Sequence, residues 1–215
     1  MTILALEFSS PLRSVAVARD GAVLGEATET GGRNTAAFAM IDRALAQAGI
    51  EREAIELIAV GLGPGSYTGI RSAVAIAQGW QLARSVKTIG IGSVQAIAAQ
   101  AQAQGLVGRV NVVIDAQRNE FYRAAYDLSP EAIREVQPLK IVPASEIESL
   151  APKETVIGPD AGRWSGRVVP PAAAMVARLA AVSKNYLPAD QLEPIYLRET
   201  AFVKAPASAI LSRSR

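Results

Sequence analysis

One order of elements reads twice along this chain, and that repetition narrows the folds open to it more than any other feature. Ile3 to Phe8 is an apolar strand that meets a carboxylate at Glu7, and Ser9-Ser10-Pro11-Leu12 turns the chain back through Ser14 to Arg19. Asp20-Gly21 is a two-residue hairpin signal before Ala22 to Ala27, so three antiparallel strands open the chain. Asn34 is suited to cap a helix running to about Ala48, and Gly49 stops it. A strand at residues 56–60, a glycine-rich loop, a helix from about Thr68 to Arg84, a strand Thr88 to Ile91 and a helix Val94 to Gln104 complete this half. The pattern then restarts. Val110 to Asp115 is a second apolar strand ending on a carboxylate, followed by a turn at Gln117 to Asn119 and strands at Phe121 to Tyr126 and Ile133 to Ile141. A short helix Glu146 to Leu150, a strand Thr155 to Gly158 and a helix Pro171 to Asn185 follow. Residue identity between the halves is low, so the repeat is one of element order.

A three-strand meander followed by alternating helix and strand, occurring twice, is the element order of actin, Hsp70 and the sugar kinases. The expected class is therefore α/β, a duplicated ribonuclease-H-like (ASKHA) fold with its second half shortened. The predicted organisation is an N-terminal subdomain over 1–106, a shortened C-terminal subdomain over 107–185, and a proline-rich extended tail over 186–215 that returns to pack on the body. A length of 215 residues, half of them apolar, is enough for a full core. Only 5% are aromatic, so that core should be alanine-rich helices packed on aliphatic strands.

Residues 61 to 71, Gly-Leu-Gly-Pro-Gly-Ser-Tyr-Thr-Gly-Ile-Arg, join a predicted strand to a predicted helix. Two readings fit. Gly63, Pro64, Gly65 and Ser66, with Thr68, could present amides and hydroxyls to a phosphate at the helix start. The same residues could simply form a tight turn. The stretch is neither a Walker A loop nor a Gly-x-Gly-x-x-Gly fingerprint. Glu7 and Asp115 end equivalent strands, where ATPases of this fold hold a metal–nucleotide complex. Glu7 reads better as a strand-end residue; Asp115, with Arg118, Asn119 and Glu120 beside it, is open between a cleft role and an Asx turn. Asp160, between Pro159 and Ala161, could line a cleft but reads better as a turn residue.

The chain contains no histidine and no cysteine. Disulfides, thiolate nucleophiles, zinc-finger sites and Ser–His pairs are thereby excluded. The pI of about 9.0 accompanies a net charge of only +2, because few groups titrate near neutrality, and does not mark a nucleic-acid binder. No basic stripe with interleaved aromatics is visible. No signal peptide or spanning segment is read, so a cytoplasmic protein with no membrane contact is expected.

The helices predicted at 34–48 and 68–84 are over-apolar. Phe38, Ile41 and Leu45 with several alanines surround the first, leaving a thin polar side. In the second, Ala75, Gly79 and Ala83 form a small-residue seam beside Trp80. A helix apolar nearly all round must be covered on more than one face. Both helices could be buried within the monomer, but where they flank one sheet a partner covers the second side more readily, which favours a protein–protein surface.

The loop Gly63 to Arg71 resembles the signature Gly-Pro-Gly-Ser-Phe/Tyr-Thr-Gly-Leu/Ile-Arg of the TsaB (YeaZ) family, the partner subunit in bacterial threonylcarbamoyladenosine synthesis on tRNA. Asp115 to Tyr122 is similar to that family's Asp-Ala-Arg-x-x-Glu-Val-Tyr, and Glu193-Pro194-Ile195-Tyr196-Leu197-Arg198 is a third similar block. Departures are Glu7-Phe8-Ser9 for Asp-Thr-Ser, Asn34 for a common histidine, and Gln117 for a common arginine. The resemblance implies a shortened, non-catalytic relative of TsaD, with no catalytic residues, metal or cofactor of its own. It implies pairing with TsaD through the two helices (Phe38, Ile41, Leu45, Ala75, Gly79, Trp80), recruitment of the ATPase TsaE, and a homodimer when alone. Contact with tRNA would then run only through the complex. The glycine loop (Gly63, Pro64, Gly65, Ser66, Thr68, Gly69, Arg71) would contact a nucleotide or the partner, and Glu7, Asp115 and Arg118 would face a cleft. The competing expectation is a free-standing ATPase or kinase that uses the glycine loop and Asp115.

Overall fold

The computed structural model describes residues 1–31 and 36–198. The predicted Asn34 cap and residues 199–215 of the tail lie outside that range. Strands β1 (Thr2–Glu7), β2 (Leu12–Arg19) and β3 (Ala22–Thr30) form the meander, and β4 (Leu57–Gly61) and β5 (Lys87–Ile91) add parallel to it. The sheet order is β3-β2-β1-β4-β5. Helix α1 (Ala37–Ala48) precedes β4, α2 (Tyr67–Ala83) joins β4 to β5, and α3 (Ser93–Ala103) follows β5.

The second half repeats this wiring with β6 (Gly108–Asp115), β7 (Glu120–Leu128), β8 (Ile133–Pro143), β9 (Thr155–Gly158) and β10 (Arg167–Val168). Its order, β8-β7-β6-β9-β10, matches the first sheet strand for strand. This is the duplicated ribonuclease-H-like fold. Helix α4 (Ala144–Leu150) stands where α1 does, and α5 (Ala173–Val182) where α3 does. The shortening has one location. Where the first half carries the 17-residue α2, the second has only a four-residue 3₁₀ turn, Ala161–Trp164. Strand β10, two residues long, carries no pattern that a sequence could display.

The last helix of each half is exchanged. Helix α3 packs on the second sheet, placing Val94, Ile97, Ala98 and Ala101 against Val112, Ala124 and Tyr126. Helix α5 packs on the first sheet, with Met175, Val176, Ala177 and Ala180 against Ile3, Ala5, Ala16 and Ala59. Burying Met175 and Val176 contributes about 1.5–3 kcal/mol apiece. The central strand β1, covered on both sides, is buried along its whole length. On its other face α1 and α2 close a core of Leu4, Leu6, Phe8, Met40, Ile41, Leu45, Ile58 and Ile70. Gly49 ends α1 with φ +63°, its amide bonded to the Ala46 and Leu45 carbonyls, the glycine stop expected of that position. No helix among the described residues is long and apolar enough to cross a membrane.

Candidate functional site

The glycine loop is shaped by what lies under it. A Cβ on Gly61 would fall 2.0 Å from Glu7 Oε2, one on Gly65 2.1 Å from the Ser9 carbonyl oxygen, and one on Gly69 2.1 Å from the Phe8 carbonyl oxygen. Side chains at these positions would lift the loop and α2 off the end of β1. The Ser66 amide donates to the Ser9 carbonyl at 2.7 Å, and Ser66 Oγ caps α2 by accepting from the Gly69 amide at 3.3 Å.

Glu7 is the hub beneath. It ends β1 and is fully buried rather than facing the cleft. Its Oε1 accepts from the Ser9 amide at 2.8 Å and its Oε2 from Ser93 Oγ at 2.8 Å. Ser93 Oγ in turn accepts from the Gly63 amide at 3.1 Å. Burial pushes the Glu7 carboxyl above its ordinary value, and the Ser9 and Ser93 bonds pull part of the way back. Glu7 is thus engaged through both oxygens in holding the loop.

A cleft of about 1110 Å³ opens between the halves. From the first half it is lined by Ser9, Ser10, Arg13, Pro64, Gly65, Ser66, Tyr67, Thr68 and the start of α1; from the second by Asp115, Gln117, Tyr122 and Asp160; and by Tyr196 of the tail. Of the predicted residues, Pro64, Gly65, Ser66, Thr68 and Asp115 therefore meet there. Gly63 and Gly69 lie behind it, and Arg118 is exposed on the hairpin outside its lining. Arg71 is exposed, stacks 5.3 Å over the Tyr67 ring and donates to its hydroxyl. Asp115 is an Asx-turn residue: Oδ1 accepts from the Gln117 amide at 2.7 Å, while Oδ2 sits 3.5 Å from Arg163. Gln117, Arg118 and Asn119 all adopt positive φ (66°, 59°, 60°), a left-handed turn that Asp115 braces. Among the described residues no three or more carboxylates, histidines or cysteines group as metal ligands.

The third sequence block ties the other two together. The Ile195 amide donates to the Leu62 carbonyl at 2.8 Å, the Tyr196 ring packs edge-on against Tyr67 at 5.3 Å, and Arg198 reaches the Ala116 carbonyl (3.0 Å) and Glu120 (2.6 Å). Residues 193–198 are a strap across both halves. Ser9, Ser93 and Arg198 were not legible as site residues, since the Ser9 carbonyl, Ser93 Oγ and the Arg198 guanidinium act on Ser66, Glu7 and Glu120, all far away in sequence.

A second surface lies beside the cleft. An apolar groove of about 460 Å³ between α1 and α2 is lined by Phe38, Ala75, Ile76, Gly79, Trp80 and Ala83, with Arg52, Glu53 and Arg84 at its edge. Phe38 is 61% exposed and the neighbouring Leu82 on α2 is 90% exposed. Nothing lies within 4 Å of a Cβ built on Gly79, so the seam is open. Ile41 and Leu45 are not part of this surface; they face inward with Met40 and Ala44. The outer side of α1 carries Ala39, Asp42, Arg43 and Ala46, and exposed alanines need no cover, so one large apolar residue there remains unpaired rather than a whole face.

Residues 34–159 match the family model of TsaD, tRNA N6-adenosine threonylcarbamoyltransferase. The chain is 29% identical to the tRNA threonylcarbamoyladenosine biosynthesis protein TsaB of Escherichia coli, over 96% of this chain and 99% of that one. YeaZ from Pseudomonas aeruginosa superposes with a TM-score of 0.78 at 26% identity, covering 91% of this chain and 99% of that one. A further solved structure, a protein with similarity to peptidase YEAZ from Pseudomonas aeruginosa, gives 0.79 at 27% identity over 92% and 99%. The chain belongs to the TsaD family, in its TsaB (YeaZ) branch. Against the TsaB pattern, Glu7 in place of the usual aspartate is explained locally. Its carboxylate bridges the Ser9 amide and Ser93 Oγ, two groups 84 residues apart that fix the loop from both sides.

Proposed function

We propose that this chain acts in tRNA threonylcarbamoyladenosine biosynthesis as a non-catalytic subunit that docks on TsaD through its α1–α2 face. The observation that carries this reading is the open groove with Phe38 standing out of it and the Ala75/Gly79/Ala83 seam uncovered, beside the exposed Leu82 of α2. Small residues spaced by four allow a helix to approach closely, and Trp80, packed into the core behind them, makes that surface rigid. Membership in the TsaB branch supports the pathway. The absence of histidine supports a supporting rather than a catalytic part, since this chain cannot build a histidine metal centre. Stabilisation of the partner's active arrangement would be the mechanism, with TsaE joining the pair, tRNA contacted only through the complex, and self-association through the same face when TsaD is absent.

The test is light scattering after size exclusion, on this chain alone and mixed with TsaD, for the native sequence and for Gly79→Leu. A one-to-one complex that Gly79→Leu abolishes, with its melting temperature not lowered, is expected. A complex insensitive to Gly79→Leu, or none at all, overturns the assignment of this face.

A further inference from the structure

The tail leads the chain to the helix that forms one wall of the docking groove. Its Leu187 amide donates to the Thr88 carbonyl at 3.0 Å and its Ile195 amide to the Leu62 carbonyl at 2.8 Å, so it follows the open edge of β5. Tyr196 then meets Tyr67, the first residue of α2, and Arg198 is held on the second half by the Ala116 carbonyl and Glu120. Residues 199–215 continue from that point, and their large apolar side chains are Phe202, Val203, Ile210 and Leu211. Chain length decides which of these the groove can take. Its centre, Gly79, lies about 18 Å along α2 from Tyr67 at 1.5 Å per residue. Phe202, four residues past Arg198, reaches at most about 14 Å fully extended, too short for that centre. Ile210 and Leu211, twelve and thirteen residues past it, span roughly 17–22 Å as a coil, which matches.

We propose that Ile210 and Leu211 of this chain's own tail occupy the α1–α2 groove when no partner is bound, and that TsaD displaces them. The inference rests on reading that groove as the TsaD-docking face. The groove suits aliphatic side chains: Phe38, Ile76 and Trp80 surround the open space over Gly79. The charges at its edge are already paired with each other, Arg84 with Glu53 at 3.1 Å and Arg52 with Asp42. It therefore selects Ile210 and Leu211 rather than the arginines that follow them. A tether whose coil length matches the span holds its segment at a millimolar effective concentration, above that of any free partner at micromolar levels. The tail thus competes with TsaD and with a second copy alike, and weakens both by the fraction of molecules whose groove is free.

The NMR signals of the Gly79 amide and the Trp80 indole, in the full chain and in its Ile210→Ser/Leu211→Ser variant, read the groove directly. Both signals should differ between the two chains, and the difference should survive dilution. A peptide of residues 205–215, added to the variant at millimolar concentration, should return its signals toward the native positions. In calorimetry TsaD should bind the variant about three- to tenfold more tightly than the native chain, the gain expected when roughly 70–90% of grooves are covered. Identical signals in the two chains overturn the proposal, as does a difference that vanishes on dilution, the mark of a second copy. A difference with unchanged TsaD affinity overturns it too. If TsaD binds neither chain while the signals differ and the peptide restores them, the tail contact stands and the docking reading alone fails.

Discussion

Replacing Ser93 by alanine probes the buried bridge that fixes the glycine loop. Ser93 is fully buried, and its Oγ both donates to Glu7 at 2.8 Å and accepts from the Gly63 amide at 3.1 Å. The substitution leaves the Gly63 amide without an acceptor, at about 1–3 kcal/mol, and removes one of two donors from a buried carboxylate, at about 1.5–3 kcal/mol. The two losses share one oxygen and do not add fully, so about 3 kcal/mol at neutral pH is expected, a melting-temperature drop of roughly 6–12 °C for a chain this size. The pH dependence is diagnostic. Burial raises the Glu7 carboxyl above its ordinary 4.5 in the folded chain, so its contribution is most favourable below that value and is lost as pH rises through the folded one. The Ser93 bond opposes the rise; without it the folded value climbs further, and the variant loses more stability on the way to neutral pH. Urea unfolding followed by Trp80 and Trp164 fluorescence should therefore show a larger penalty at pH 8 than at pH 5. In a Glu7→Gln background the penalty should become smaller and independent of pH. A penalty below about 1 kcal/mol, or an equal one at both pH values, would refute the hub role of Glu7.

Other substitutions separate the scaffold from the surfaces. Gly69→Ala sets a Cβ 2.1 Å from the Phe8 carbonyl oxygen, backbone against backbone, and should cost about 3 kcal/mol or more in thermal unfolding. Gly79→Ala meets open space and should instead stabilise the isolated chain by up to about 1 kcal/mol, through helix propensity alone. Arg198→Ala frees the Ala116 carbonyl and Glu120; the pair is partly exposed, so only about 1 kcal/mol is at stake, yet hydrogen exchange at Ile195 should quicken as the strap lifts. Arg123→Ala removes the donors of the buried Asn111 Oδ1 at 2.8–3.1 Å while the exposed Glu146 keeps Lys140, and should cost about 1–3 kcal/mol in urea unfolding.

The order of elements was written in the sequence because it rests on local physics. Asp20-Gly21 favours a hairpin, Gly49 stops a helix, and the largely apolar runs at 57–60 and 110–115, short and rich in β-branched residues, read as strands. The exclusion of histidine and thiol chemistry was likewise complete before any fold was known. What the sequence left open was which side of each element is covered. Helix periodicity groups Ile41 and Leu45 with Phe38 on an alanine-rich cylinder, but only the position of the first sheet turns the first two inward and the third outward. Glu7 looks like any strand-end carboxylate until Ser93, 86 residues away, closes over it. The same holds for the exchange of α3 and α5 between the halves, and for Arg198 bridging to a turn 78 residues earlier. These contacts depend on the packing of distant segments, and a desolvated carboxylate or an unpaired arginine is defined by its surroundings, which exist only once the chain has folded.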